Sequence, residues 1–212
     1  MFQLDHIMYG VPDLDSGIAA LQTLTGVRAE PGGSHPGAGT RNALLALGDK
    51  QYLEIIAPDP DQELKGTLGE ALIRQDRPGV RAWAVATNAL TEVAGIANRF
   101  GFDSRGIIDM SRTQGDGQAL HWQLGFLRHR LLPFFIDWLD APHPCETATK
   151  GCKLTHLEIS VDHADAYANF LAALGLAPTL IGVHSGSPGG VEGFSATLQT
   201  PKGQVVLPNW WG

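Results

Sequence analysis

Residues 4–15 have the sequence LDHIMYGVPDLD, in which a short apolar run leads directly into a helical pattern. The run has the composition of a β-strand, and apolar residues three and four positions apart give the next segment, up to Gly26, a helix face. Residues 152–161, CKLTHLEISV, repeat this arrangement, with LTHL in the place of LDHI and a second helical pattern that ends at Gly175. Both glycines suit the left-handed position at a helix C-terminus. The sequence therefore contains the same strand and helix twice.

The similarity continues beyond the helix and predicts three units of one kind. A histidine follows in a glycine-rich segment of each copy, and EIIAP in the first copy corresponds to QVVLP in the last. The middle third has the same order of elements with weaker identity, beginning with the strand-like RAWAVA. We therefore predict βαβββ units at residues 1–58, 80–138 and 152–208, joined by polar linkers. Because one unit cannot bury a strand face alone, we expect paired units in an α+β fold whose curved mixed sheet forms a half-open barrel with a ligand cleft.

Composition excludes several classes of function. The 212 residues contain 15 Lys and Arg against 22 Asp and Glu, and a net charge of −7 disfavours nucleic-acid binding. No apolar run is long enough for a membrane span, and the N-terminus lacks the pattern of a signal peptide, so we predict a cytoplasmic protein with two reduced cysteines. Neither a GxGxxG nor a GxxxxGK[ST] motif is present, which disfavours dinucleotide and phosphate-loop binding.

Two polar residues in apolar strands, His6 and Glu54, are the first candidates for a site. A charged Glu54 between Leu53 and Ile55 needs a cationic or protonated partner if it is buried, because desolvating an unpaired carboxylate is costly. One interpretation is a metal ion shared with His6, since imidazole and carboxylate suit Zn, Mn, Fe or Ni. A metal-free polar pocket and a solvent-facing Glu54 are the alternatives.

Other candidates surround this pair. His35 lies in a Gly- and Pro-rich segment that we expect to be a loop over the cleft, where it could act as a general acid or base. Asn42 could bind a substrate carbonyl and Arg41 a carboxylate. Asp137 is a second carboxylate in an apolar strand. It is either a general base or the structural partner of Arg112.

The sequence resembles the vicinal oxygen chelate superfamily, and within it the glyoxalase-like domain proteins. The resemblance rests on residues 4–15, on GGSHPGAGTRNALLALG at 32–48, on YLEIIAPDP from Tyr52 and on PFFIDW at 133–138. It implies paired βαβββ modules with a divalent metal in the concave sheet, bound by the first and last strands of two modules. Members include lyases, isomerases, dioxygenases and metal-free binding proteins, so the resemblance predicts the fold better than the reaction.

Mapped onto this chain, the ligand pattern of the superfamily implies His6, Glu54 and His156 as metal ligands. The fourth position is Gln204, a weaker ligand, which leaves a three-ligand site with an open position. These residues converge if the first unit pairs with the third. If the first unit pairs with the second, Asp137 takes the place of His156. Sequence similarity favours one pairing and adjacency along the chain favours the other.

We therefore predict a glyoxalase-like enzyme that acts on a small carbonyl-containing substrate, with a divalent metal at His6 and Glu54. His35 or Asp137 would move the proton, and Asn42 and Arg112 would orient the substrate. The alternative is a metal-free protein that binds or sequesters a small molecule in the same cleft. A third interpretation, a subunit used in assembly, rests on the C-terminal NWWG and the unit left over after one pair forms, and we expect a homodimer.

Overall fold

The computed structural model describes residues 1–75, 77–113, 119–186 and 191–211, without the side chains of residues 112, 113 and 119. The first unit consists of β1 (Gln3–Gly10), α1 (Leu14–Thr25), β2 (Glu30–His35), β3 (Thr40–Gly48) and β4 (Gln51–Pro58). After α2 (Leu68–Ile73), the second unit consists of β5 (Gly79–Ala86), α3 (Leu90–Asn98), β6 (Ser104–Thr113), β7 (Ala119–Leu127) and β8 (Phe134–Asp137). After a 3-10 turn (Pro144–Glu146), the third consists of β9 (Lys153–Val161), α4 (Ala164–Ala173), β10 (Ile181–Ser185), β11 (Gly193–Thr200) and β12 (Gly203–Leu207).

The first and second units form one eight-stranded sheet in the order β2-β3-β4-β1-β5-β8-β7-β6. In each unit the last strand lies parallel to the first, and the two units join through the antiparallel pair of β1 and β5. The edge strands β2 and β6 approach each other, so the sheet curls into a half-barrel. The predicted α+β fold with a curved mixed sheet is therefore confirmed, and the first unit pairs with the second.

The third unit forms a separate four-stranded sheet in the order β10-β9-β11-β12. Its elements follow one another in the same order as in the first unit, but its strands are arranged differently. The parallel neighbour of β9 is β10, the strand directly after the helix, whereas the parallel neighbour of β1 is β4, the last strand. Because β11 occupies the other side of β9, the last strand β12 does not contact β9 in the sheet. Similar sequences therefore form sheets with different strand orders.

The main hydrophobic core lies on the helix side of the large sheet and continues into the third unit. Trp83 of β5 and Phe170 of α4 are fully buried in it, together with Ile18 of α1. The helices contribute apolar faces with the three-and-four spacing that the sequence predicts. Among the described residues, no helix is both long and apolar enough to cross a membrane.

The two ends of the concave face are covered by segments of the same chain. At one end, Cys145 of the second linker packs against Leu44 and Tyr52, and both cysteines are free thiols. At the other end, Trp210 packs against Ile56 and Leu72, and the backbone N–H of Val80 donates to the Pro208 carbonyl at 2.7 Å. The tryptophans of NWWG, on which the assembly interpretation rests, thus pack against residues of their own chain at this end of the cleft.

Candidate active site

A β-bulge in the first strand directs two neighbouring side chains to the concave face. In the pairing of β1 with β5, Leu4 lies opposite Val85 and His6 lies opposite Ala84, so Asp5 is an extra residue without a counterpart. A bulge changes the direction of a side chain that would otherwise alternate to the other face of the sheet. Asp5 and His6 therefore contact each other, with 2.6 Å between Asp5 Oδ1 and His6 Nδ1.

The Asp5 carboxylate is buried and accepts hydrogen bonds on both oxygens. Its Oδ2 accepts from Trp138 Nε1 at 2.9 Å and lies 3.0 Å from His143 Nε2. The backbone N–H of Cys145 donates to His143 Nδ1, which leaves the proton of that ring on Nε2, facing Asp5. Burial alone would raise the pKa of Asp5, but the hydrogen bonds from His143, His6 and Trp138 and the attraction of His6 lower it to about 2. Asp5 is therefore ionised at neutral pH.

This carboxylate fixes the orientation of the His6 ring. The ring stacks on Tyr52, with 4.6 Å between centroids, and meets the edge of Phe134 at 5.3 Å. Because His6 Nδ1 is bonded to Asp5, His6 Nε2 points into the concave face, 3.7 Å from Glu54 Oε2. That distance is too long for a hydrogen bond. With His6 only 3% exposed, its Nε2 is a buried proton acceptor beside a carboxylate.

Glu54 is positioned by a second network through Asn42. The Asn42 amide accepts from the backbone N–H of Gly33 at 3.1 Å and donates through Nδ2 to Glu54 Oε1 at 2.7 Å. The same Nδ2 lies 3.2 Å from His35 Nε2, and His35 Nδ1 lies 3.0 Å from Thr40 Oγ1. With the amide donating to it, His35 Nε2 is the acceptor of the ring and Nδ1 carries the proton. Asn42 therefore links Glu54 to His35.

Four of the predicted residues come together in this way: His6, Glu54, His35 and Asn42. His35 is at the end of strand β2, not in a loop, because Gly33 and Ser34 pair with β3. The predicted role of Arg41 in the cleft does not agree with its position. Strand alternation directs Arg41 to the other face of the sheet from Asn42. This is the face on which Ala43 is buried in the main core.

Two further candidates lie elsewhere. Asp137 does not replace His156 as a partner of His6: at the end of β8 it lines a pocket together with Asp5 and His143, and no hydrogen bond or ion pair joins it to His6 within the described residues. Its Oδ1 accepts from the backbone N–H of Leu139 at 2.9 Å. His156 lies in the four-stranded sheet, where its Nε2 is 2.7 Å from Glu158 Oε1, and so it does not converge with His6. Arg112 is in β6, but its side chain lies outside the described residues.

The second unit lacks the counterparts of His6 and Glu54. The β1–β5 pairing contains a second bulge, at Arg81, which makes Ala82 the equivalent of His6. Two residues further along, Met8 pairs with Glu54 in the first unit and Ala84 pairs with Phe134 in the second. An alanine and a phenylalanine therefore stand where the ligand pattern of the superfamily requires two polar side chains.

The remaining donors do not make a three-ligand metal site. The Asn42 amide donates to Glu54 Oε1 and to His35 Nε2, the atoms that an ion between those residues would need. Among the described residues, His6 Nε2 and Glu54 Oε2 are the two donor atoms left facing each other, whereas catalytic zinc sites have three protein ligands. No group of three or more His, Cys, Asp and Glu side chains in the described residues is arranged to hold a metal ion. The residues present do not fit the predicted metal.

The sequence analysis missed Asp5, Trp138 and His143 as parts of the site. An acidic residue directly before a histidine in an apolar strand was the available signal for Asp5, since a regular strand would bury only one of the two. His143 lies in a polar linker, and nothing in the local sequence shows that the linker crosses the concave face.

A half-barrel built from two βαβββ units, with polar residues of the first and last strands on its concave face, is the fold of the vicinal oxygen chelate superfamily. Within it, residues 4–175 match the family model of the glyoxalase-like domain, and the chain belongs to that family. The matched region contains the complete large sheet and ends after α4. No curated protein matches the chain.

Solved structures support the fold. A hypothetical protein from Staphylococcus aureus is 16% identical with a TM-score of 0.64, over 99% of this chain and 89% of that one. A hypothetical protein from Bacillus halodurans C-125 is 16% identical with a TM-score of 0.50, over 66% of this chain and 97% of that one. Methylmalonyl-CoA epimerase, in complex with methylmalonyl-CoA and NH4+, is 20% identical with a TM-score of 0.48, over 66% and 97% of the two chains. At these identities the first two show the fold alone, and no argument is based on the third, whose TM-score is 0.48.

Proposed function

We propose that the protein is an enzyme of the vicinal oxygen chelate type that moves a proton on the carbon next to the carbonyl of a small substrate. The observation behind this proposal is the Asp5–His6 pair, in which a buried carboxylate orients an imidazole so that its Nε2 points into the cleft. A histidine held in this way acts as a general base, because the carboxylate fixes its tautomer and stabilises the imidazolium that forms.

In the proposed step, His6 Nε2 takes a proton from the substrate carbon. The electron pair of the broken C–H bond moves into the C–C bond while the carbonyl π pair moves to the oxygen, which gives an enolate. Glu54, 3.7 Å from His6 Nε2, is a second proton carrier on the same face. The hydrogen bond from Asn42 fixes one Glu54 oxygen and leaves the other towards His6. His35 supports Asn42 in this arrangement.

The sequence-based hypothesis also includes a divalent metal, with Zn, Mn, Ni and Fe as the candidates. The side chains around His6 and Glu54 favour this part of the hypothesis least. His6 Nε2 and Glu54 Oε2 are the two atoms that would face such an ion. Metal analysis of protein purified without chelator tests it. We expect less than about a tenth of an equivalent of any transition metal, because two protein ligands are one fewer than catalytic zinc sites provide.

Hydrogen exchange with solvent tests the proton transfer without knowledge of the complete reaction. Small ketones, keto acids and acyl thioesters are incubated with the protein in D2O, and loss of the proton next to the carbonyl is followed by NMR. We expect exchange with the unchanged protein and a fall of about a hundredfold or more in His6→Gln and Glu54→Gln. His121→Gln is the matched control, because His121 is an exposed histidine of β7.

Exchange that persists in both variants, or that disappears equally in His121→Gln, would disprove the proposal. Thermal unfolding of each variant accompanies the assay, so that loss of the fold is distinguished from loss of a proton carrier. Exchange that appears only after Mn, Zn, Ni or Fe is added would return the metal to the reaction.

A metal-free protein that binds or sequesters a small molecule is the second candidate. It is favoured by the apolar Ala82 and Phe134, which occupy in the second unit the positions that His6 and Glu54 occupy in the first. Binding of a carbonyl compound without any exchange of its protons would favour this function over catalysis. A homodimer and a cytoplasmic location remain predictions of the sequence, and sedimentation at several protein concentrations tests the first.

A further inference from the structure

The second bulge of the β1–β5 pairing brings a cationic side chain to the concave face. Met8 lies opposite Ala82 and Tyr9 lies opposite Val80, so Arg81 is the extra residue between them. Val80 and Trp83 both point into the main core, which leaves Arg81 and Ala82 on the other face. Arg81 thus occupies, in the second unit, the position that Asp5 occupies in the first.

The guanidinium group of Arg81 lies among aromatic rings, and the described residues provide no acceptor for it. Its Cζ is 5.0 Å from the centre of the Trp210 ring and 5.6 Å from that of Trp211. Within the described parts of the chain no carboxylate forms an ion pair with it and no oxygen accepts a hydrogen bond from it. Partial burial lowers the pKa of Arg81 from its usual value. A guanidinium has five N–H donors, and here they have been partly removed from water without replacement.

A second buried donor lies beside it. The indole Nε1 of Trp211 is inaccessible to solvent and has no hydrogen-bond partner among the described residues. Buried polar groups without a partner are rare, and each one suggests a missing acceptor. Arg81 and Trp211 together present donors only, which is the arrangement that an anion requires.

This group of donors lies within reach of the candidate active site. Glu54 of β4, Met8 of β1 and Ala82 of β5 are consecutive in one row across the sheet. Adjacent strands are about 4.8 Å apart. The Cα atoms of Glu54 and Ala82, which lie two strands apart, are therefore separated by about 10 Å across the sheet. Trp210 borders the same end of the cleft through its contacts with Ile56 and Met8.

We propose that Arg81, with Trp211 Nε1, binds a carboxylate group of the substrate, and that the substrate is therefore a small acid with a carbonyl group. This inference rests on the proposed function, because it specifies the substrate class of the same cleft. The carboxylate pairs with the planar fork of Arg81 while the carbon next to the carbonyl lies between His6 and Glu54. A bidentate pair of this kind fixes the orientation of the substrate as well as its affinity.

Malonate is a suitable probe, with the neutral malonamide and with inorganic phosphate as comparisons. Binding is measured by titration calorimetry and by the NMR signal of the Trp211 indole N–H, assigned with Trp211→Phe. We expect malonate to bind and to shift this signal, and malonamide to do neither. Arg81→Met should weaken malonate binding by more than about tenfold, and Arg81→Lys by less, because lysine keeps the charge but loses the fork. Arg128→Met is the control, since Arg128 is an exposed arginine.

Each outcome decides the matter. Malonate that does not bind the unchanged protein at about 50 mM, or that binds Arg81→Met and Arg81→Lys as well as the unchanged protein, would overturn the inference, because millimolar affinity is weak even for one charged contact. Phosphate binding tighter than malonate binding would overturn the assignment to a carboxylate. If Arg81→Met does not fold, Arg81→Lys and the Trp211 signal still give the answer. Glu54→Gln should retain malonate binding while losing proton exchange, so failure of the proposed function alone is distinguishable from failure of this inference.

Discussion

The first and third units of the chain begin with similar strands but place their histidines in opposite environments. His6, in LDHI, is 3% exposed, is bonded to Asp5 and lies beside Glu54. His156, in LTHL, has a side chain that is 33% exposed and pairs with Glu158 of its own strand. Both strands contain a bulge at the residue before the histidine. The difference therefore does not come from the strand itself.

Strand order and the pairing of units produce the difference. In the first unit β4 lies beside β1, which brings Glu54 close to His6, and the second unit completes the half-barrel over both. In the third unit β11 separates β9 from β12, so Gln204 is not on a strand adjacent to His156. The strands β9 and β12 carry polar, partly exposed side chains at these positions. A polar pair becomes a site in this chain only where a second unit shields it from water.

The largest effect should come from removing the buried carboxylate of the first unit. Asp5→Ala leaves His6, His143 and Trp138 without their acceptor in a buried place, and we expect the free energy of unfolding to fall by about 3 kcal/mol. Thr155→Ala is the matched change in the third unit. Its exposed hydroxyl donates only to the Thr197 carbonyl, so we expect a loss of less than about 1 kcal/mol.

Chemical denaturation of both variants at neutral pH measures these losses. Equal losses in the two variants would show that the environments of the two strands are less different than their contacts indicate.

Interchanging the acid and the amide at the corresponding positions of the first and third units should affect the reaction only in the first. Glu54→Gln removes a proton carrier, and we expect the proposed exchange of substrate protons to slow by about a hundredfold, which corresponds to about 2.7 kcal/mol. Gln204→Glu introduces a carboxylate at the corresponding position of the repeat, on an exposed part of β12, and should leave the exchange unchanged. A faster reaction in Gln204→Glu would mean that the third unit contributes to the cleft.

A smaller effect is expected from acid, and it should depend on Asp5. Its pKa is about 2 in the folded protein and 3.8 in an unfolded chain. Because the folded value is the lower one, the ionised Asp5 stabilises the fold fully above pH 3.8, and this contribution is lost as the pH falls towards 2. The difference corresponds to about 2 kcal/mol. Denaturation between about pH 5 and about pH 2.5 should therefore show a steeper loss for the unchanged protein than for Asp5→Asn. Parallel curves would contradict the hydrogen-bonded, ionised state of the buried Asp5 carboxylate.

The sequence predicted the fold class because it depends on local patterns. Strand and helix periodicity around residues 4–25 is a short-range signal, and so is the need to shield one face of each unit. It also identified His6 and Glu54 as a pair, since a carboxylate among apolar neighbours requires a partner wherever the strand lies. The choice of the second unit as the partner of the first was left open.

The rest of the site depends on features that a sequence repeat does not report. Bulges at Asp5 and Arg81 direct these charged side chains to the concave face. Without the bulges, regular alternation would have directed them into the main core on the other face. Asp137, at the end of β8, lines a pocket with Asp5 and His143, but within the described residues it has no hydrogen bond or ion pair with His6 or Glu54. His156 was assigned to the site because its strand resembles β1, but the strand order of the third unit keeps the two histidines in different sheets. Register and strand order are long-range properties, and they determined which candidates converge.

The smallest effect is expected at the exposed cluster of the third unit. His184 of β10 approaches Glu158 Oε2 at 2.5 Å, and His156 approaches the other oxygen of the same carboxylate. The His184 side chain is 64% exposed and that of Glu158 is 39% exposed, so water competes with the pair and salt screens it. We expect His184→Ala to change the free energy of unfolding by less than about 0.5 kcal/mol, which is typical of exposed ion pairs.

His6→Ala gives the contrasting measurement under the same denaturation conditions. It creates a buried gap beside Tyr52 and leaves Asp5 without one of its donors, and a loss above about 2 kcal/mol is expected. A loss above about 1.5 kcal/mol for His184→Ala would mean that the histidines around Glu158 form an ordered site, because exposed pairs rarely contribute more than about 1 kcal/mol. The two histidine variants thus measure directly how much shielding by a second unit adds to a similar pair of residues.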